Sequence, residues 1–128
     1  MSSVVLDASA LLAVLNNEPG AEKLSLDLLA SSVISTVNLA EVHGKLVAAG
    51  IAADDAWSAA MSAVGEVAAF TEEHAKLTGT LVAQTRAQGL SLGDRACLSL
   101  AISLKAPVYT ADRSWKNLRL NVPVHLIR

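Results

Sequence analysis

The chain has 128 residues, 52% of them hydrophobic and 17% charged, with a formal net charge of −2. That length suits one domain, expected over residues 1–128, and so apolar a composition excludes an intrinsically disordered chain. The longest uncharged stretch, Leu28–Ala40, runs only 13 residues and is broken by Ser, Thr and Asn, short of the ~18–20 apolar residues that a membrane-spanning helix needs.

In chain order, Ser3–Leu6 reads as a buried strand ending at Asp7. Helix formers follow over Ala8–Asn16, and Asn17-Glu18-Pro19-Gly20 punctuates. Ala21–Ala30 predicts one helix with Leu24, Leu28 and Leu29 on a face. Val33–Thr36 is a second strand. A helix is expected from Asn38 to Ala49, stopped by Gly50. The next spans Ala52–Val64, with Asp54 and Asp55 at its positive end. Glu66–Phe70 is a third strand, and Thr71 caps a helix over Glu72–Ala87 that Gly89 ends. Ser91–Leu104 is a further helix, Pro107–Thr110 a fourth strand, Ser114–Leu118 a helical turn and Val122–Ile127 a last strand. Alternating strands and helices predict an α/β, three-layer domain: a central parallel sheet of four or five strands with helices on both faces. Such folds place their sites at the carboxyl ends of the strands.

Four acids stand in apolar company: Asp7, Glu41, Asp94 and Asp112. Each has a structural reading as a cap. Asp7 and Asp112 precede helical segments, and Asn38/Glu41 and Ser91/Asp94 have capping-box spacing. Together they mean more, because Asp7, Glu41 and Asp112 all follow strands and so share one sheet edge, which Asp94 can reach. Four clustered carboxylates raise each other's pKa unless a cation intervenes. Oxygen donors without His or Cys select Mg²⁺ or Mn²⁺. Such an ion clamps phosphate oxygens and activates water for phosphodiester hydrolysis.

Other chemistries fit poorly. His43, His74 and His125 are scattered and Cys97 is alone, against zinc. Nucleotide-loop and serine-hydrolase motifs are absent. Two alternatives stay open. A haloacid-dehalogenase-like phosphatase also uses an Asp after its first strand, but wants a second Asp where Ser9 stands, and Lys105 is its only loose basic candidate. A non-catalytic partner-binding module would use the acids only as caps. Cys97 and Trp57 read as core. Trp115, beside Lys116 and near Arg113, is a weak candidate for a nucleic-acid contact and more often would simply cover the sheet edge. Aromatics are only 3% of the chain, too few for a base-stacking platform. One cysteine and no leader-like N-terminus suit a reducing cytoplasm. Residues 1–85 carry ten acids and three bases, and residues 86–128 carry two acids and seven bases. The basic third could meet a polyanion.

The order of the acids, with Leu-Asp-Ala-Ser-Ala-Leu-Leu-Ala, Ile-Ser-Thr-Val-Asn-Leu-Ala-Glu-Val, Leu-Ser-Leu-Gly-Asp-Arg-Ala-Cys-Leu and Val-Tyr-Thr-Ala-Asp-Arg around them, resembles PIN-domain ribonucleases, and among them the VapC toxins of type II toxin–antitoxin pairs. The resemblance covers essentially the whole chain. It implies a parallel sheet between helices and Mg²⁺- or Mn²⁺-dependent endonucleolytic cleavage of tRNA, rRNA or mRNA, leaving 5′-phosphate and 3′-hydroxyl ends. It also implies a homodimer, neutralised by a small VapB-like antitoxin. Asp7, Glu41, Asp94 and Asp112 match the family's acidic, metal-binding quartet. Ser9 and Thr110 match small polar positions that orient carboxylates or a metal-bound water. Some relatives carry a further acid just after the third, where Arg95-Ala96-Cys97 stands here; this implies one tightly held metal, with a second arriving only with substrate. Arg95 and Arg113 each follow a proposed ligand, and with Lys116 they are the expected RNA contacts.

Overall fold

The computed structural model describes residues 2–128, so Met1 of the expected 1–128 domain lies outside it. Five strands, β1 (Val4–Leu6), β2 (Ser32–Ser35), β3 (Glu66–Ala68), β4 (Val108–Thr110) and β5 (Val124–Leu126), form one sheet in the order β3-β2-β1-β4-β5. Every pairing is parallel; Val5 sits opposite both Val33 and Val108. Seven α-helices connect and cover the strands: α1 (Ala8–Leu15), α2 (Leu26–Ala30), α3 (Thr36–Ala48), α4 (Ala53–Ala63), α5 (Glu72–Thr80), α6 (Val82–Thr85) and α7 (Leu92–Leu104).

Strand side chains alternate between faces, and the core divides accordingly. Val5, Val33 and Val108 pack with Cys97, Leu98, Leu100 and Ala101 of α7 and with Trp115. On the other face Ile34 meets Leu11 and Leu12 of α1 and Leu39 and Val42 of α3. Leu6 meets Ala10, Ala13, Leu29 and Ile127. Each Val or Leu so buried contributes roughly 1.5–3 kcal/mol over leaving it in water. A sheet covered on both faces consumes apolar residues at every strand position, which accounts for the hydrophobic composition. Among the described residues no helix is long and apolar enough to cross a membrane.

Three elements depart from the expected boundaries. Ala21–Ala30 is not one helix: Ala21–Lys23 forms a 3-10 turn, and Ser25 opens α2 by accepting from the Leu28 N–H at 3.2 Å. A serine that can cap competes with helix continuation through it. The helix expected over Glu72–Ala87 divides into α5, α6 and a 3-10 turn at Arg86–Gln88. Gly79, Thr80 and Thr85 are weak helix formers, and both threonine hydroxyls bond back to carbonyls one turn earlier. α3 begins at Thr36, capped by Ser35, so Asn38 is inside the helix and caps nothing.

Of the two tryptophans, Trp57 departs from its expected place in the core. Trp115 is fully buried, whereas Trp57 is 45% exposed, its ring edge-on to His43. α4 buries only Ala56 and Ala60, and a residue next to a buried one on a helix is turned by about 100° from it.

Candidate active site

The sheet order puts β1 between β2 and β4, so the chain leaves three neighbouring strands at one edge. Asp7 follows β1 directly, α3 follows β2 directly, and Asp112 comes two residues after β4. The order reverses around β1, which is where open α/β sheets form their crevice.

Asp7 is 3% exposed. Its Oδ1 accepts from the Ala10 N–H at 2.8 Å, capping α1 as expected. The Ser9 hydroxyl donates to the same carboxylate (2.8 Å to Oδ1), and the Thr110 hydroxyl donates to Oδ2. Ser9 Oγ also accepts from the Ala111 N–H at 2.8 Å, and Thr110 Oγ1 from the Asp112 N–H at 3.0 Å. The two hydroxyls therefore tie the end of β1 to the end of β4 through Asp7. Burial pushes the Asp7 carboxyl from 3.8 up to about 6. The bonds from Thr110, Ala10 and Ser9 oppose that rise, and the charge of Asp94 adds to it.

Glu41 is half-buried on α3. Its Oε1 accepts from Asn38 Nδ2 at 2.9 Å, and the same amide donates to the Gly93 carbonyl at 2.9 Å. The carboxylate lies so close to Gly93 that a Cβ there would overlap it. Asp94 completes the expected capping box of α7: it accepts from the Ser91 N–H at 2.9 Å, and Ser91 Oγ accepts from the Asp94 N–H at 3.1 Å. Cys97, one turn further on, is fully buried in the core. Its thiol is held well above the ordinary range by burial first, and then by the charges of Asp7, Asp94 and Glu41. The charges of three carboxylates thus reach the Cys97 thiol, from side chains that follow β1, ride on α3 and open α7.

Asp112 is different. Its Oδ1 is taken by Ser114, from the N–H at 2.9 Å and the hydroxyl at 2.7 Å, capping the 3-10 turn Arg113–Asn117. It reaches Asp7 only through Thr110. Among the described residues, no three His, Cys, Asp or Glu side chains stand close enough to hold a metal ion ready-made. What fits Mg²⁺ or Mn²⁺ is the donor chemistry: carboxylate oxygens alone, one of them, Asp7, buried and without an ion-pair partner among the described residues.

The basic residues are dispersed. Arg95 is half-buried, and its Nε donates to Thr85 Oγ1 at 2.9 Å, which turns it toward α6. Arg113 and Lys116 are exposed on the turn that Asp112 caps. Arg128 pairs with Glu18 at 3.2 Å. Trp115, being buried, offers no surface to a nucleic acid. Lys105 ends α7 at the far end from Asp94, roughly 16 Å away at helical rise, so the phosphatase reading loses its basic group. A groove of about 350 Å³ opens between α1 and α3, lined by Ser9, Leu12, Asn16, Glu18, Lys45, Leu46, Ala49 and Arg128.

Asn38 and Gly93 touch the acids, yet sequence spacing assigns Asn38 to a cap and passes over Gly93. The available signal is an amide inside the apolar Val37-Asn38-Leu39-Ala40 run, where a weak helix former needs a reason.

A parallel α/β sheet with acids at the carboxyl ends of its central strands defines the class of protein. Within that class the chain belongs to the PIN domain family, matching it over residues 4–120; PIN domains are generally nucleases. No curated protein sequence matches the chain. Solved structures share its fold. VapBC2 from Rickettsia felis, bound to a DNA fragment from its promoter, superposes with a TM-score of 0.73 at 22% identity, covering 94% of this chain and 96% of that one. DNA-bound VapBC from Salmonella typhimurium gives 0.76 at 18% identity, covering 100% of both chains. VapC20 from Mycobacterium tuberculosis, a toxin that cleaves the sarcin–ricin loop, gives 0.75 at 17% identity, covering 94% and 99%.

Proposed function

We propose that this chain is a Mg²⁺- or Mn²⁺-dependent endoribonuclease, the VapC-type toxin of a toxin–antitoxin pair, with residues 1–128 acting as one PIN-like domain in the cytoplasm. The observation that carries this reading is the carboxyl of Asp7, buried at the carboxyl end of β1 without an ion-pair partner among the described residues, with the charge of Asp94 acting on it and Glu41 held against the residue before Asp94. The cation, when bound, supplies the compensating charge, polarises a scissile phosphate and activates water. The chain's residues do the positioning. Ser9 and Thr110 hold Asp7 in one rotamer, Asn38 holds Glu41, and Ser91 fixes Asp94. Asp112 would be the fourth ligand through its Oδ2, which makes no hydrogen bond among the described residues.

RNA is the substrate, by analogy with the sarcin–ricin-loop-cleaving neighbour and the family's general activity. Arg113 and Lys116 take backbone phosphates beside Asp112, with Arg95 in a lesser role because Thr85 engages it. A small VapB-like antitoxin is the partner, by analogy with the VapBC complexes that share the fold, and the toxin acts as a homodimer. The test is cleavage of structured RNA with Mn²⁺, with 5′ ends mapped after induction in cells. Asp7→Ala and Asp94→Ala should abolish cleavage and growth arrest while keeping the fold; full activity in either overturns the reading. The capping geometry of Asp7, Asp94 and Asp112 favours a second reading, a binding module without catalysis. A wild-type chain that binds no Mn²⁺ decides for it.

A further inference from the structure

Asn38 is 1% exposed, in the third position of a helix whose cap is Ser35. Both groups its amide reaches, Glu41 Oε1 and the Gly93 carbonyl, are acceptors at 2.9 Å. The NH₂ must therefore face them, and the flipped amide is excluded. Its Oδ1 is then buried with no partner among the described residues. A residue kept for packing alone would avoid that desolvation; Leu has the same branched shape without the polar atoms. The two bonds span two elements, since Glu41 is on α3 while Gly93 precedes Asp94 in the first turn of α7. A Cβ at position 93 would overlap the Glu41 carboxylate, so glycine there lets it keep this position.

We infer that Asn38 is a positioning residue that sets the separation of the Glu41 and Asp94 carboxylates by tying α3 to the first turn of α7, with Gly93 providing the space. This rests on the metal-dependent reading of the acids. Groups that orient ligands from behind affect metal affinity nearly as strongly as the ligands do.

The probe is Mn²⁺ alone, titrated calorimetrically into the full chain, with thermal melts run alongside. Asn38→Leu keeps the branched shape and removes both donors, and Mn²⁺ affinity should fall about ten- to hundredfold. In a Glu41→Gln background the same substitution should cause no further loss, because Asn38 acts through Glu41. Cleavage of a structured RNA should lose kcat with its KM unchanged. Gly93→Ala keeps the Asn38 side chain but forces Glu41 Oε1 to move, and it should lower Mn²⁺ affinity in the same direction, which provides a second variant if Asn38→Leu does not fold. Affinity within twofold of wild type in both variants, or an equal loss in the Glu41→Gln background, overturns the inference while leaving the nuclease reading intact. A wild-type chain that binds no Mn²⁺ overturns both.

Discussion

Asp7 carries the main conflict between stability and chemistry. Its folded-state pKa of about 6 lies above the ordinary 3.8, so the folded state holds the proton more tightly than the unfolded chain. The stability this group contributes is full below about pH 4 and is lost as the pH rises through about 6. At neutral pH the ionised carboxyl then costs roughly 3 kcal/mol. Asp7→Asn should raise the melting temperature at pH 7.5 by several degrees. The gain should shrink toward zero at pH 4, and an equal gain at both values would contradict the assignment. Mn²⁺ should raise the wild-type melting temperature at pH 7.5 and leave that of Asp7→Asn unmoved. Thr110→Val is isosteric but removes the bond that most lowers the Asp7 pKa. It also leaves the Asp112 N–H without its acceptor. Its cost should be about 1–3 kcal/mol by denaturant titration, and the acid limb of the cleavage pH profile should move upward. Asp7 as a cap is legible from its place after a strand. That both hydroxyls converge on it, Thr110 from a strand more than a hundred residues away in sequence, is not.

At the scale of elements, positions with left-handed backbone give predictions of opposite sign. Lys105 closes α7 at φ 53°, a conformation that costs a side-chain-bearing residue about 1 kcal/mol and glycine little. Lys105→Gly should stabilise the chain by about 0.5–1 kcal/mol in urea unfolding. Gly20 has φ 96°, and a Cβ there would overlap the backbone carbonyl of Ile127, just past β5. Gly20→Ala should destabilise by about 2 kcal/mol or more through strain and weaker docking of the last strand. The capping box of α7 is readable because Ser91 and Asp94 are local in sequence. The start of α3 is not, because Ser35 and Asn38 are both competent caps. Only packing against Gly93, 55 residues from Asn38 along the chain, determines which of them is drawn inside the helix.

At the scale of the molecule, the charge split does not become one basic face. Arg128 is committed to Glu18 and Arg95 to Thr85; of the exposed remainder in residues 86–128, Arg86, Lys105, Arg113, Lys116 and Arg119, Arg113 and Lys116 stand on the turn that Asp112 caps. Replacing both with Ala should weaken RNA binding at low salt. The slope of log affinity against log salt should fall by about 0.7 for each single-strand phosphate that these side chains neutralise. An unchanged slope would remove them from the interface. The exposed apolar residues Val47, Ile51, Trp57 and Met61 lie on α3, α4 and the segment between them, so Trp57 reports on solvent while Trp115 reports on the core.

The sequence by itself determined the parallel α/β class, most element boundaries and the acids, because strand–helix alternation, caps and apolar periodicity are encoded within a few residues of one another. The family assignment follows from the same local words in their order. Tertiary structure alone decided the relations among them. It placed Asp7 between the Ser9 and Thr110 hydroxyls, laid Glu41 against Gly93 under Asn38, and turned Asp112 toward Ser114. It also buried one tryptophan and exposed the other. The physical reason is distance along the chain: strand pairing and helix docking join residues whose neighbours in sequence carry no record of the contact. The near-neutral charge total conceals acids drawn together by that docking and bases that it keeps apart.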